Sequence, residues 1–475
     1  MKNNRRNFIK LSGLTGLGLL GSNFANGVQR IQKQNEVINS PGHSDNQIFN
    51  MCGYAAPKLD VVRAGFIGLG MRGPEHLKNM SLLEGVEIKA LCDIRPRFAE
   101  QAGNSLKGTS HKPDIYSGTM EAWKKMCDRN DIDLIFIATP WDMHAPMAVY
   151  AMEHGKHVCI EVPAAITLDE CWQLVETSEK TKQHCMMMEN CCYDFFELLT
   201  LNMARQGFFG EIVHGEGAYI HNLLDLNFDK NGYWEMWRLR ENIHRNGNLY
   251  PTHGLGPICQ IMDINRGDKL VSLESRSGKD FLMGPTAKKL ASADNFFAPY
   301  AEASYRGNMN VTNISTHKGR TIMIQHDVTS PNVYSRIHRI TGTKGTALKY
   351  PLPPKISNGG EDWISDKEMK ELEIKYQPPI LKKVGELAKE VGGHGGMDFL
   401  MDWRTVDCLR NGLPLDQDVY DAALWSSVSP LSEASVANKS RTVEIPDFTR
   451  GSWKTNNPVD ILLEKGGTTK TKLKS

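Results

Sequence analysis

The ten cysteines of this 475-residue chain never form a C-x-x-C pair, and no H-E-x-x-H string or His/Cys group with ligand spacing occurs. That excludes a zinc ribbon, a redox dithiol and a zinc-protease motif, and no catalytic metal is expected. An excess of one charge is also missing. The balance of 56 basic and 55 acidic side chains, +1 overall, offers no argument for a nucleic-acid partner. No internal repeat is visible. The apolar run Leu11–Leu20 is too short to span a bilayer, which takes about 20 residues.

What is present begins with an address. Asn4-Arg5-Arg6-Asn7-Phe8-Ile9-Lys10 ahead of that run reads as a twin-arginine export signal, with small residues near Ala25 for cleavage. The alternative is a basic N-terminus with no targeting role. The first reading gives a signal peptide over 1–27, export machinery as a partner, and a periplasmic or cell-envelope destination. No lipobox cysteine follows, so no lipid anchor is expected. Residues 28–60 are polar and read as a linker or arm.

The chain is organised around Val62–Gly73, VRAGFIGLGMRG. An apolar strand feeds Gly68-Leu69-Gly70-Met71-Arg72-Gly73, a G-x-G-x-x-G turn. Its glycines permit a tight turn, backbone approach to a pyrophosphate, and close seating of the next helix. Val86–Leu91 reads as the second strand, and Asp93 follows twenty residues after Gly73, where a carboxylate holds the ribose hydroxyls of NAD and repels the extra phosphate of NADP. From 61 to 192 strands and helices alternate, predicting a Rossmann domain. Candidate cofactor residues collect at strand ends: Trp141, Asp142, Met143 and His144 after Ile132–Ala138, Glu161 and Val162 after His157–Ile160, and Asn190 after Cys185–Met188.

Residues 193–453 read differently. Ile212–His221 alternates as a strand, 222–250 shows no period and reads as a long loop, and Thr252–Ile264 reads as a helix. Strand patterns at 270–276, 309–316, 320–328 and 335–349, the last with a Gly-Thr-Lys-Gly hairpin turn, predict a mainly antiparallel open sheet. Residues 351–380 read as surface, and Asp398–Asn411 and Val419–Asn438 as amphipathic helices. The tail, 454–475, ends in a Gly/Thr/Lys stretch from Gly466 that predicts disorder. The fold class is therefore α/β, a Rossmann domain followed by an α+β domain. His253, at a helix start, is the leading acid/base candidate; a helix-capping role is its alternative. Tyr193, just past Asn190, is a second catalytic candidate or a core tyrosine.

The fingerprint, the strand ending in E-x-P and the later sheet resemble the Gfo/Idh/MocA oxidoreductases. TPWDMH (139–144), EVPAA (161–165), ENCCY (189–193), GEGAYIHN (215–222), LYPTHGLGP (249–257), GGHGGMDFLMDWR (392–404) and LPLDQDVYDAALWSS (413–427) are more specific. Together they resemble glycoside hydrolase family 109. The resemblance implies an α-N-acetylgalactosaminidase with a tightly held, recycled NAD and a glycan substrate. It also implies that Tyr219, Tyr250 and Tyr334 bind substrate and that Arg238 contacts NAD; on pattern alone each tyrosine reads as structural rather than functional. One departure from the broader oxidoreductases is Val162, where they usually carry a lysine proton donor. Phe195-Phe196 depart from family 109 itself, where charged residues are common. A net sugar dehydrogenase and a non-catalytic sugar-binding protein are the rival readings. A homo-oligomer stays open.

Overall fold

In the computed structural model the described residues are His43, 46–460 and 462–472. The twin-arginine stretch and most of the linker lie outside them. Six strands, β1 (Val62–Ile67), β2 (Val86–Asp93), β3 (Asp114–Ser117), β4 (Leu134–Ile137), β5 (His157–Ile160) and β6 (Cys185–Met187), form one parallel sheet in the order β3-β2-β1-β4-β5-β6. The central strands are nearly continuous runs of buried apolar residues, as a sheet covered on both faces requires. The order reverses between β1 and β4, and such a switch point opens a crevice at the C-terminal strand ends.

The second sheet contains β7 (Ile212–Ile220), β8 (Leu270–Ser277), β9 (Asn310–Thr316), β10 (Thr321–Asp327), β11 (His338–Gly342), β12 (Thr346–Lys349), β13 (Lys355–Ser357) and β14 (Val443–Glu444). Its order is β13-β12-β11-β7-β10-β9-β8-β14. Only the β7–β10 pairing is parallel, which matches the expected antiparallel character. The helix Thr252–Ile261 lies on β7. Gly217 makes that possible, because a Cβ there would meet the Gly254 carbonyl oxygen at 2.4 Å.

Three expectations need correction. The stretch 222–250 is not one loop: it holds short helices at Leu224–Phe228, Trp234–Met236 and Trp237–His244. They carry Trp237 and Arg238 to a cleft and bury Phe228, Met236 and Leu239 in a small second core with Met283 and Phe297. Residues 351–380 lie mostly at the surface, as expected, and include the helix Asp366–Tyr376, opened by a Ser365–Glu368 capping box. The helices Met397–Asn411 and Val419–Ala437 are buried almost throughout, not one-faced. They pack on the Rossmann helices Gly73–Ser81 and Leu168–Thr181, and their polar residues make internal ion pairs. Finally, the tail to Lys472 is held in place. Asp407 accepts from the amides of Gly467, Thr468 and Thr469, Trp403 Nε1 donates to the Thr469 carbonyl at 3.0 Å, and Thr471 bridges to Leu83.

Candidate active site

The glycine turn has the predicted geometry. Gly68 has φ +86°, and a Cβ there would lie 2.4 Å from the Ala138 carbonyl oxygen, so the turn requires glycine. Asp93 ends β2 and fastens the turn: its carboxylate accepts from the Leu69 amide at 2.8 Å and the Arg95 amide at 2.9 Å. Gly68, Gly70, Met71, Arg72 and Asp93 line a cleft of about 1590 Å³, counting space open to solvent. Trp141, Met143, His144, Glu161, Val162, Asn190, Tyr219, Arg238, Tyr250 and His253 line the same cleft.

Some predicted residues play other parts. Gly73 lies under the turn, against the Gly68 carbonyl, rather than in the wall. Asp142 is exposed in the first turn of its helix and does not line the cleft. His144 borders it, yet both ring nitrogens face backbone carbonyls, Pro163 at 2.7 Å and Thr139 at 2.8 Å, so it braces two strand ends. Tyr193 is the main correction. The chain leaves β6 through a tight 3-10 turn, Asn190–Tyr193, which keeps Asn190 at the cleft and carries Tyr193 into the core. Its hydroxyl donates to Asp416 at 3.2 Å, and Asp416 is held by Arg404. Burial and Asp416 push that phenol up, so Tyr193 is a structural residue here, without a face on the cleft. Tyr334 is outside the cleft wall; its ring meets that of His221 edge to face at 5.1 Å.

The reactive end is an aromatic corner. Tyr219, Tyr250 and His253 pack with ring centroids 4.5 to 5.2 Å apart, and burial pushes both phenols up, keeping them protonated. His253 Nδ1 lies 2.7 Å from Glu189, a fully buried carboxylate. Burial would raise the Glu189 pKa, but His253 and the Thr252 and Cys191 donors outweigh it and hold it below the usual range. The ionised Glu189 fixes the ring with Nδ1–H toward itself and leaves Nε2 as the basic atom. Glu189 was missed in the sequence; its only signal was a lone acid at a strand end. His221, also missed, lies 2.9 Å from the Tyr219 hydroxyl through Nδ1.

Glu161 is a different kind of carboxylate. It accepts from Arg72 Nε and His76 Nε2, both at 3.0 Å, and His76 Nδ1 donates to Asp402 at 2.8 Å. Burial would raise the Glu161 pKa, yet Arg72 and His76 bring it to about 2; burial would lower that of His76, yet Asp402 and Glu161 lift it to about 10. Glu161 therefore stays ionised and positions Arg72 rather than exchanging protons. Both shifts stabilise the fold on opposite sides of neutrality. The Glu161 contribution is complete above about pH 4.5 and is lost as pH falls toward 2. The His76 contribution is complete below about 6.5 and is lost as pH rises toward 10. Urea unfolding across pH should show both losses, each of a few kcal/mol. A Glu161→Gln variant with an unchanged acid limb would contradict the assignment.

Both domains match known families. The family model described as "Oxidoreductase family, NAD-binding Rossmann fold" matches residues 62–189, and "Glycosyl hydrolase 109, C-terminal domain" matches 193–455. The chain is 49% identical over 425 residues to "Glycosyl hydrolase family 109 protein 1" of Bacteroides fragilis, covering 85% of this chain and 89% of that one. The chain belongs to glycoside hydrolase family 109. Another relative, named "Alpha-N-acetylgalactosaminidase" and also from Bacteroides fragilis, is 51% identical over 411 residues, 85% of this chain and 96% of its own. Among solved structures, a levoglucosan dehydrogenase in complex with NADH and L-sorbose superposes with TM-score 0.62 at 17% identity, over 82% of this chain and all of that one, which supports the fold alone.

The residues of this family 109 cleft fit the NAD of its Rossmann domain. Asp93 keeps lone pairs for a ribose diol beyond those given to the turn. Arg238 sits over Trp141 and Tyr250 at 5.2 and 5.0 Å, and its buried Nη2 has no hydrogen-bond partner among the described residues, a donor that a ligand oxygen would satisfy. Asp93→Ala should weaken NAD binding about 10- to 100-fold, the worth of a charged hydrogen bond. Unchanged cofactor content after purification would refute that role.

Proposed function

We propose that the chain is a glycosidase that releases terminal α-linked N-acetylgalactosamine, holding its NAD tightly and recycling it within each turnover. The observation that carries this reading is the Glu189-oriented His253 on the wall of the cleft that begins at the glycine turn, so one cavity holds both base and dinucleotide site. Direct displacement at a glycosidic bond needs two carboxylates free to act. Here Glu161 is locked to Arg72 and His76, and Glu189 to His253.

When bound, NAD would supply a reversible hydride acceptor for C3 of the sugar, whose hydroxyl becomes a ketone by releasing its proton to solvent and takes one back when the hydride returns. The ketone acidifies the C2 proton, and His253 Nε2 removes it. The electron pair left at C2 forms the C1–C2 double bond as the C1–O bond breaks. Water adds at C1, and His253 returns its proton to C2. Tyr219 and Tyr250, protonated and close-packed, hold sugar hydroxyls, and Arg238 holds the dinucleotide end of the complex. Val162 explains why no lysine serves this site.

The test is p-nitrophenyl α-N-acetylgalactosaminide in deuterated water with no added NAD. Cleavage with deuterium at C2 of the product supports the reading. Cleavage without label would show direct displacement, and NADH accumulating without cleavage would show a dehydrogenase. We also propose export by the twin-arginine route, which carries proteins already folded and so suits a preloaded cofactor. Cell fractionation that finds the protein in the cytoplasm would overturn that.

A further inference from the structure

The elimination needs a third protonatable group. His253 serves C2, but the oxygen leaving C1 also needs a proton when it belongs to a sugar or alkyl alcohol. The rest of a glycan extends out of a site that takes a terminal sugar, so this donor must stand where the cleft opens to solvent. It must also lie at the end where Asn190 and His253 stand, rather than at the Asp93 end.

His394 meets both conditions. It lines the cleft, and its side chain is 50% exposed against 13% for His253. Nδ1 lies 2.7 Å from Oδ2 of Asp398, whose side chain is fully buried, and Oδ1 of that aspartate accepts from Asn190 Nδ2 at 2.5 Å. Asp398 thus ties His394 to the strand end that closes the cleft and leaves Nε2, on the far edge of the ring, without a partner among the described residues. His221 is nearby, but its Nδ1 faces the neutral Tyr219 hydroxyl rather than a carboxylate that would hold an imidazolium, and burial and Arg238 push its pKa down.

The backbone holds the ring in a costly place. Gly392, Gly393, His394, Gly395 and Gly396 all have positive φ, and His394, with a side chain, sits at +45°. Such strain persists only where the surroundings enforce it and clusters at functional sites. Here a Cβ at Gly393 would meet Glu75 Oε1 at 2.5 Å, and one at Gly396 would meet the Ala388 backbone at 2.7 Å. A cation site among Glu75, His394 and Asp398 is not the explanation, because Arg72 already supplies the positive charge, pairing with Glu75 and lying 3.3 Å from Asp398 Oδ2.

We propose that His394 is the proton donor to the leaving oxygen, oriented by Asp398. This rests on the glycosidase reading above. As the C1–O bond breaks, its electron pair goes to oxygen, which takes the proton from Nε2. When water adds at C1, the same Nε2 takes a proton from it, and the imidazolium is restored. No net proton is gained or lost.

The test compares His394→Ala and His394→Gln with wild type on methyl and p-nitrophenyl α-N-acetylgalactosaminides. The nitrophenolate leaves without protonation, whereas methoxide does not. The loss in kcat/KM on the methyl glycoside should exceed that on the nitrophenyl glycoside by about 100-fold, the usual scale of general acid catalysis. Methyl glycoside recovered from the variant in deuterated water should carry label at C2, because proton removal precedes the blocked step. Equal losses on both glycosides, no loss on either, or no label in recovered substrate would overturn the proposal. Wild-type protein that neither cleaves nor labels either glycoside would instead overturn the glycosidase reading. Wild-type melting temperature and NAD content in both variants exclude misfolding as the cause.

Discussion

His253→Ala should lower kcat by about 10²- to 10⁴-fold, the scale of a lost general base, while the purified variant should keep its NAD. The two readouts separate because His253 and the Asp93 turn stand on different domains of one cleft. His253 opens the helix Thr252–Ile261, whose seat on β7 is fixed by backbone contact at Gly217, and its ring is fixed by Glu189. Removing the ring deletes the group that takes the C2 proton and leaves the dinucleotide wall intact. Exchange of C2–H with deuterated water should vanish with it. Exchange persisting at the wild-type rate would show that another group is the base. Glu189→Gln keeps the ring but loses the ionised partner, so it should fall between the alanine variant and wild type.

Arg266→Met should cost about 3–5 kcal/mol of folding stability, the penalty for leaving buried charge without its partner. Arg266 Nη2 donates to Asp418 at 2.8 Å and to Asp421 at 2.6 Å, and all three side chains are buried. Asp418 also caps the helix Val419–Ala437 in a capping box with Asp421. Burial and Asp421 already push Asp418 up to about 6, with Arg266 working against them. Without the guanidinium Asp418 rises further, and the folded state binds more protons than the unfolded one. The variant should therefore lose more stability at pH 8 than at pH 5. Denaturant unfolding measures this, and a cost below about 1 kcal/mol at pH 8 would reject the assignment. The effect reaches the cleft, because Ser426 on that helix accepts from the Ala164 amide just after Val162.

The parts of the site that were legible in the sequence are local ones. The glycine turn and Asp93 belong to one strand–helix–strand unit, where spacing in sequence is spacing in space. His253 was legible because helix-start chemistry and its surrounding string coincide. Glu189 was not, since its role depends on a partner 64 residues away. Tyr193 was misread for the opposite reason: it is close to Asn190 in sequence, but a tight turn points the two side chains to different places. The helices Met397–Asn411 and Val419–Ala437 carry Asp and Arg at positions that look solvent-facing, and only the fold shows that Arg404 pairs with Asp416 and Asp421 with Arg266 inside.

The clasp at Asp407 has a consequence for timing during synthesis. This buried carboxylate takes its amide donors from residues 467–469, so it stays undersupplied until that segment has cleared the ribosome. The helix Met397–Asn411 lies between the Rossmann domain and the rest of the chain, and this late clasp is what seals its outer side. The two sheets are able to form as they emerge, but the packing of that helix and the tail on the Rossmann domain is completed last. Nascent chains stalled before Gly467 should accordingly remain open to protease along that helix, and chains released after Thr471 should not.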